Sequence, residues 1–104
     1  MEFLSEGYLR YKHSIVSYSI VDTSKLLKRS LNSPQSLRFT EAVMLLEAFG
    51  FHLSRVRGSH HIFVHPGIPE LVNIQEVNGQ AKAYQMRQFL KIVERYSLTM
   101  KESS

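Results

Sequence analysis

Four of the five histidines lie between His52 and His65, interleaved with Arg55, Arg57 and Ser59. An unperturbed imidazole titrates at about 6.5, so it gives or takes a proton near neutral pH, and it is also a common metal ligand. Two chemistries therefore suit this segment. Cutting an RNA strand without a metal needs a base for the 2′-hydroxyl, an acid for the departing 5′ oxygen and cations for the charge on the phosphorane. His60 beside Arg57, next to the Ser59 hydroxyl and free turn amides, supplies those parts. The residue types alone leave open a plainer alternative, a histidine that merely caps a hairpin.

Which histidines act together depends on the elements that carry them. Phe51–Arg57 alternates like a strand, Gly58-Ser59 follows, and His60–His65 alternates again before Pro66-Gly67. Glycine first in a two-residue loop marks a type II′ hairpin. That turn sets Arg57 against His60, Val56 against His61, Arg55 against Ile62 and His52 against His65. Arg55, Arg57 and His60 then share one side of the sheet, and His52, His61 and His65 the other. His60 and His61 do not easily grip one ion from opposite faces, and His61 and His65 lie about 13 Å apart along the strand. Only His52 and His65 meet across the hairpin, and two ligands with no Asp or Cys nearby make a poor site. No metal and no cofactor is expected.

The flanking elements follow from period and punctuation. A helix is expected over about Glu41–Phe49, with Thr40 as its N-cap and Gly50 closing it. A third short strand at Leu71–Gln75 precedes a polar loop with Asn78-Gly79. Tyr84, Met86, Phe89, Leu90, Val93 and Tyr96 recur at helical spacing through Ala83–Tyr96, and their apolar stripe belongs to the core. Helix, three strands and helix give an α+β domain, a three-stranded antiparallel sheet with two helices on one face and the other face open. Upstream, Asp22-Thr23-Ser24 offers caps for a short helix, Lys25–Leu31, which Asn32-Ser33-Pro34 stops. Ile15–Val21 reads either as an extra strand or as part of a leader. The expected organisation is an extension over 1–38, a domain over 39–98 and a tail over 99–104.

Composition bounds the answer. At 104 residues the chain allows one small domain, and 43% hydrophobic with 21% charged residues fits a folded globule. No apolar run reaches the roughly 18–20 residues of a membrane span. The first residues lack the basic-then-apolar layout of a signal peptide, so a cytoplasmic location is expected. With no Cys there is no disulfide framework, thiolate zinc site or cysteine nucleophile. A net charge of +4 favours a polyanionic partner.

The stretch Leu45–Phe51 followed by Arg55–Pro66, with Gly58-Ser59-His60 inside it, resembles the HicA-type toxins of bacterial type II toxin–antitoxin systems. The family pattern is a helix ending in Gly-Phe, then Gly-Ser-His, an apolar strand and His-Pro. Gly79–Arg87 is similar to the family segment in which a Lys-containing loop enters the last helix. The resemblance spans roughly Phe39–Leu98 and leaves residues 1–38 largely outside it. It implies a double-stranded-RNA-binding-like α-β-β-β-α fold and an endoribonuclease, an mRNA interferase that cleaves mRNA without the ribosome. It also implies a HicB-type antitoxin protein that covers the site. The family's catalytic histidine matches His60, with Gly58 and Ser59 beside it. His61 stands where the family does not look fixed and takes only a supporting role. The insert Gly67–Glu70 between the strands is longer than a bare hairpin.

Arg55, Arg57, Lys82, Arg87 and Lys91 are candidate RNA phosphate contacts near the hairpin and the start of the last helix. The helix N-terminus near Ala83 favours anions, and Arg87 and Lys91, four apart, share one helix face. Two further classes remain at this point. One is a non-catalytic RNA-binding module on the same fold, and the other a relic that makes only protein contacts.

Overall fold

Asp22 is the cap that the first helix uses: its carboxylate accepts the Ser24 N–H at 3.0 Å. Helix α1 runs Thr23–Asn32 and is followed by a single 3-10 turn, Pro34–Ser36. The structure is a computed structural model that describes residues 22–101. The Ile15–Val21 segment lies outside the described residues.

Helix α2, Phe39–Ala48, begins with Arg38 at the N-cap and not with Thr40. The reason lies in what holds its start. The Glu41 carboxylate accepts the Arg38 N–H at 3.0 Å. The Phe39 N–H donates to the Gly79 carbonyl at 2.8 Å, and the Ala81 N–H to the Leu37 carbonyl at 3.2 Å. The helix is thus pinned against a late segment of the chain that Thr40 does not reveal.

Strands β1 (His52–Arg57), β2 (His60–Val64), β3 (Val72–Val77) and β4 (Gln80–Ala81) precede helix α3, Ala83–Arg95. They form one antiparallel sheet in the order β1-β2-β3-β4. The chain is α+β, with one strand more than its periodicity suggests. Asn78-Gly79 is a tight turn and not a polar loop, and β4 returns to pair Glu76 with Ala81 and Val77 with Gln80.

The helices cover one face of this sheet. Phe63 of β2 and Val72 and Ile74 of β3 are buried with Leu45 and Leu46 of α2 and Met86 and Phe89 of α3. Burying such a side chain contributes about 1.5–3 kcal/mol relative to leaving it exposed. Phe49, Phe51 and Phe89 meet edge-on, with Phe89 5.7 Å from each of the other two rings. Leu26 carries α1 into the same core, and an Arg29–Glu41 ion pair ties α1 to α2. The opposite face carries no helix among the described residues, and all six residues of β1 are exposed.

Candidate active site on the open sheet face

Gly58 takes φ +59°, as a type II′ turn requires at its first central position. The hairpin then pairs Arg57 with His60, Val56 with His61 and Arg55 with Ile62, as the two-residue turn predicts. Beyond that the register shifts. Leu53 pairs with Phe63 and His52 with Val64, so Ser54 is an extra residue, a β-bulge. His52 therefore does not meet His65, and the bulge flips the alternation and moves His52 to the His60 side.

His65 leaves the sheet and packs locally. Its ring stands edge-on to Phe51 at 5.1 Å, and its Nδ1 accepts the Gly67 N–H at 2.9 Å. Gly50 makes room for it: a Cβ there would lie 2.9 Å from Nε2 of His65. Among the described residues, no three His, Cys, Asp or Glu side chains gather closely enough to hold a metal ion.

Alternation puts His60 and His61 on opposite faces. His61 pairs with Ile74, a core residue, and its ring packs 4.5 Å from that of Phe39 under the sheet. Its Nδ1–H donates to the Ser59 carbonyl at 3.0 Å, and the Glu76 N–H donates to the same oxygen at 3.0 Å. Ser59 and His61 are thereby tied into the turn. His60 is half-buried on the open face, where its Nδ1 meets the Asn73 side-chain amide, 3.0 Å from Nδ2 and 3.3 Å from Oδ1. Its Nε2 has no partner among the described residues.

Cations flank this imidazole unevenly. Arg57 lies directly across β1 from His60, and Arg55 one pair further along the same side. On the other flank His60 pairs with Gln75. Lys82 stands one position beyond the last β3–β4 pair, next to Gln75, at the start of α3. At the usual strand spacing that puts Lys82 about 10 Å from His60. Its ammonium lies 5.9 Å from the centre of the Tyr84 ring. Arg87 and Lys91 are exposed on α3, whose buried side covers the inner face, so neither joins the row through Arg57, His60, Gln75 and Lys82. Lys91 borders a cleft of about 360 Å³ between β3 and α3, along with Asn73, Gln85 and Gln88.

Two residues of this region carry no signal in the sequence beyond being polar. Asn73 is brought to His60 by the β2–β3 register. Gln85 is buried in the first turn of α3, and its Oε1 accepts the Gln75 N–H at 2.6 Å, filling the place of a strand partner where β4 has ended.

The Gly67–Glu70 insert is anchored at its far end. Arg95 donates to both Glu70 oxygens at 2.8 and 2.7 Å, and the Tyr96 hydroxyl donates to one of them at 2.7 Å. Those bonds, Tyr96 first and then Arg95, hold the Glu70 carboxyl below its ordinary titration range. In turn the Glu70 carboxylate raises the Tyr96 and Arg95 values.

The family model for the HicA toxin of bacterial toxin–antitoxin systems matches residues 39–94, just over half of the chain. The match covers α2, the sheet and α3 almost to its end. No curated protein and no solved structure matches the chain.

Proposed function

Because the chain belongs to the HicA toxin family of bacterial toxin–antitoxin systems, we propose that it is an endoribonuclease that cuts mRNA with His60 and is neutralised by a HicB-type antitoxin. The observation that carries this reading is the Nε2 of His60, without a partner among the described residues, on the open sheet face with Arg57 directly across the hairpin. An RNA strand laid on that face meets a proton acceptor and a cation side by side. No helix among the described residues is long and apolar enough to cross a membrane, and the reading places the protein in the cytoplasm with its substrate.

The chemistry follows from those groups. Nε2 takes the proton of a 2′-hydroxyl, whose oxygen attacks the adjacent phosphorus. Arg57 and Arg55 balance the added charge on the phosphorane oxygens. The bond to the 5′ oxygen breaks, and the imidazolium just formed returns its proton to that leaving oxygen. The products are a 2′,3′-cyclic phosphate and a 5′-hydroxyl. Lys82 contacts a flanking phosphate, and Arg87 and Lys91, off that row on α3, add only to the positive field. Their contribution is electrostatic and weakens with salt.

The test is cleavage of a purified mRNA by the purified chain, with the product ends identified. Cleavage is expected to persist in EDTA, to leave cyclic-phosphate and 5′-hydroxyl ends, and to stop on adding the HicB-type protein. Loss of cleavage in EDTA, or 5′-phosphate ends, would overturn this mechanism. Binding of RNA without cleavage would favour the non-catalytic module.

A further inference from the structure

We propose that Asn73 is the positioning residue for His60, its Oδ1 accepting the Nδ1–H and so reserving Nε2 for the RNA. The inference rests on the nuclease reading of His60. It starts from the sheet register: His60 pairs with Gln75 and Ile62 with Asn73, so Asn73 is the diagonal neighbour of His60 on the open face. Both ends of its amide lie within reach of Nδ1, at 3.0 Å for Nδ2 and 3.3 Å for Oδ1.

A single histidine that serves first as base and then as acid changes its charge in each turnover. The exchanged proton sits on Nε2, so Nδ1 keeps its hydrogen in both forms and needs an acceptor. The Asn73 amide supplies one in Oδ1, whereas its Nδ2–H over a bare Nδ1 would leave the hydrogen on Nε2 and remove the base. A carboxylate in the same place also accepts but favours the imidazolium, raising the pH at which Nε2 is free to act as base. The other charged groups around the ring are Arg57 and Arg55 from β1 and, beyond β3, Lys82. No carboxylate pairs with His60 among the described residues. The ring is thus held by a neutral partner in a cationic surround.

The experiment compares the full-length wild type with Asn73→Ala and the nearly isosteric Asn73→Asp. The protonation of His60 is followed by nitrogen NMR across pH, and RNA cleavage is measured on the same samples. Asn73→Ala is expected to lower kcat about 10–100-fold with KM little changed, since the ring loses its anchor. Asn73→Asp is expected to move the His60 midpoint up by about one pH unit and to carry the rising limb of the cleavage profile with it. A merely structural contact would lower the melting temperature of both variants and leave the midpoint in place. An unmoved midpoint in Asn73→Asp overturns the proposal whether or not the chain cuts RNA. A moved midpoint in Asn73→Asp, together with a wild type that cuts no RNA, supports the pairing and overturns the nuclease reading instead.

Discussion

His60 and His61 are neighbours in the chain with opposite surroundings. Nδ1 of His60 meets the Asn73 amide on the open face, whereas the His61 ring lies 4.5 Å from Phe39 beneath the sheet and donates to the Ser59 carbonyl. The two rings therefore answer differently to truncation. His61→Ala removes a packed ring and one hydrogen bond, and is expected to cost about 1–3 kcal/mol of stability. Its cleavage rate at a permissive temperature should stay within about tenfold of wild type. Urea titration and a cleavage assay on the same preparation check both halves.

Gly50 carries a second prediction. It sits at φ +95°, and a Cβ would lie 2.9 Å from Nε2 of His65. Gly50→Ala is therefore strained in its backbone and crowded against a ring held by Phe51 and Gly67. A loss of about 1–2 kcal/mol is expected, read as a lower urea midpoint with an unchanged slope. A Gly50→Ala chain as stable as wild type would contradict the packing described for His65.

The Glu70 cluster gives a pH dependence whose sign is determined. Tyr96 and Arg95 hold the folded-state carboxyl below its ordinary value. The ionised form is thus the one that folding favours. The contribution is complete above the unfolded value of about 4.3 and is lost as pH falls through the lowered folded value. Glu70→Gln should therefore be less stable than wild type at neutral pH, and the gap should close in acid. Tyr96, raised by Glu70, gives the alkaline counterpart: its contribution holds below the ordinary tyrosine range and fades as pH rises through the raised value. Melting curves of wild type and Glu70→Gln from acid to neutral pH provide the check.

Arg55 and Arg57 lie on the His60 side of the hairpin, while Arg87 lies on helix α3. Replacing Arg57 by Ala should lower kcat/KM more than Arg87→Ala does, because only Arg57 stands across from His60. Removing a cation that neutralises an RNA phosphate should also flatten the dependence of log affinity on log salt, by about 0.7 per phosphate for a single strand. Salt titrations of RNA binding by the two variants measure this separately from the rate.

The candidate site was legible where its geometry depends only on a local turn. Gly58-Ser59 sets a two-residue turn, and strict alternation from it placed Arg57 against His60 and His61 on the far face. Four features were hidden. The bulge at Ser54 has no signature, since an ordinary polar residue in a polar-apolar alternation looks like any other, and it undid the expected meeting of His52 and His65. Asn73 reaches His60 only through the β2–β3 register, which the connection from His65 to Leu71 determines and local periodicity does not. Strand β4, with two residues, spans a single period of alternation and shows no repeat. The start of α2 depends on hydrogen bonds to Gly79 and Ala81, far along the chain. Helix α3 was plain because its stripe of Met86, Phe89 and Val93 repeats at helical spacing over about two turns.

The most direct test of the central claim is growth after induction of the wild type and of His60→Ala side by side, with mRNA integrity followed in the same cultures. The wild type is expected to arrest growth and shorten mRNA while His60→Ala, at equal abundance, does neither; a loss of about 10²–10⁴-fold in cleavage suffices for that. Arrest and mRNA loss by both proteins would take His60 out of the centre of the reaction, and harmlessness of both would contradict the nuclease account altogether.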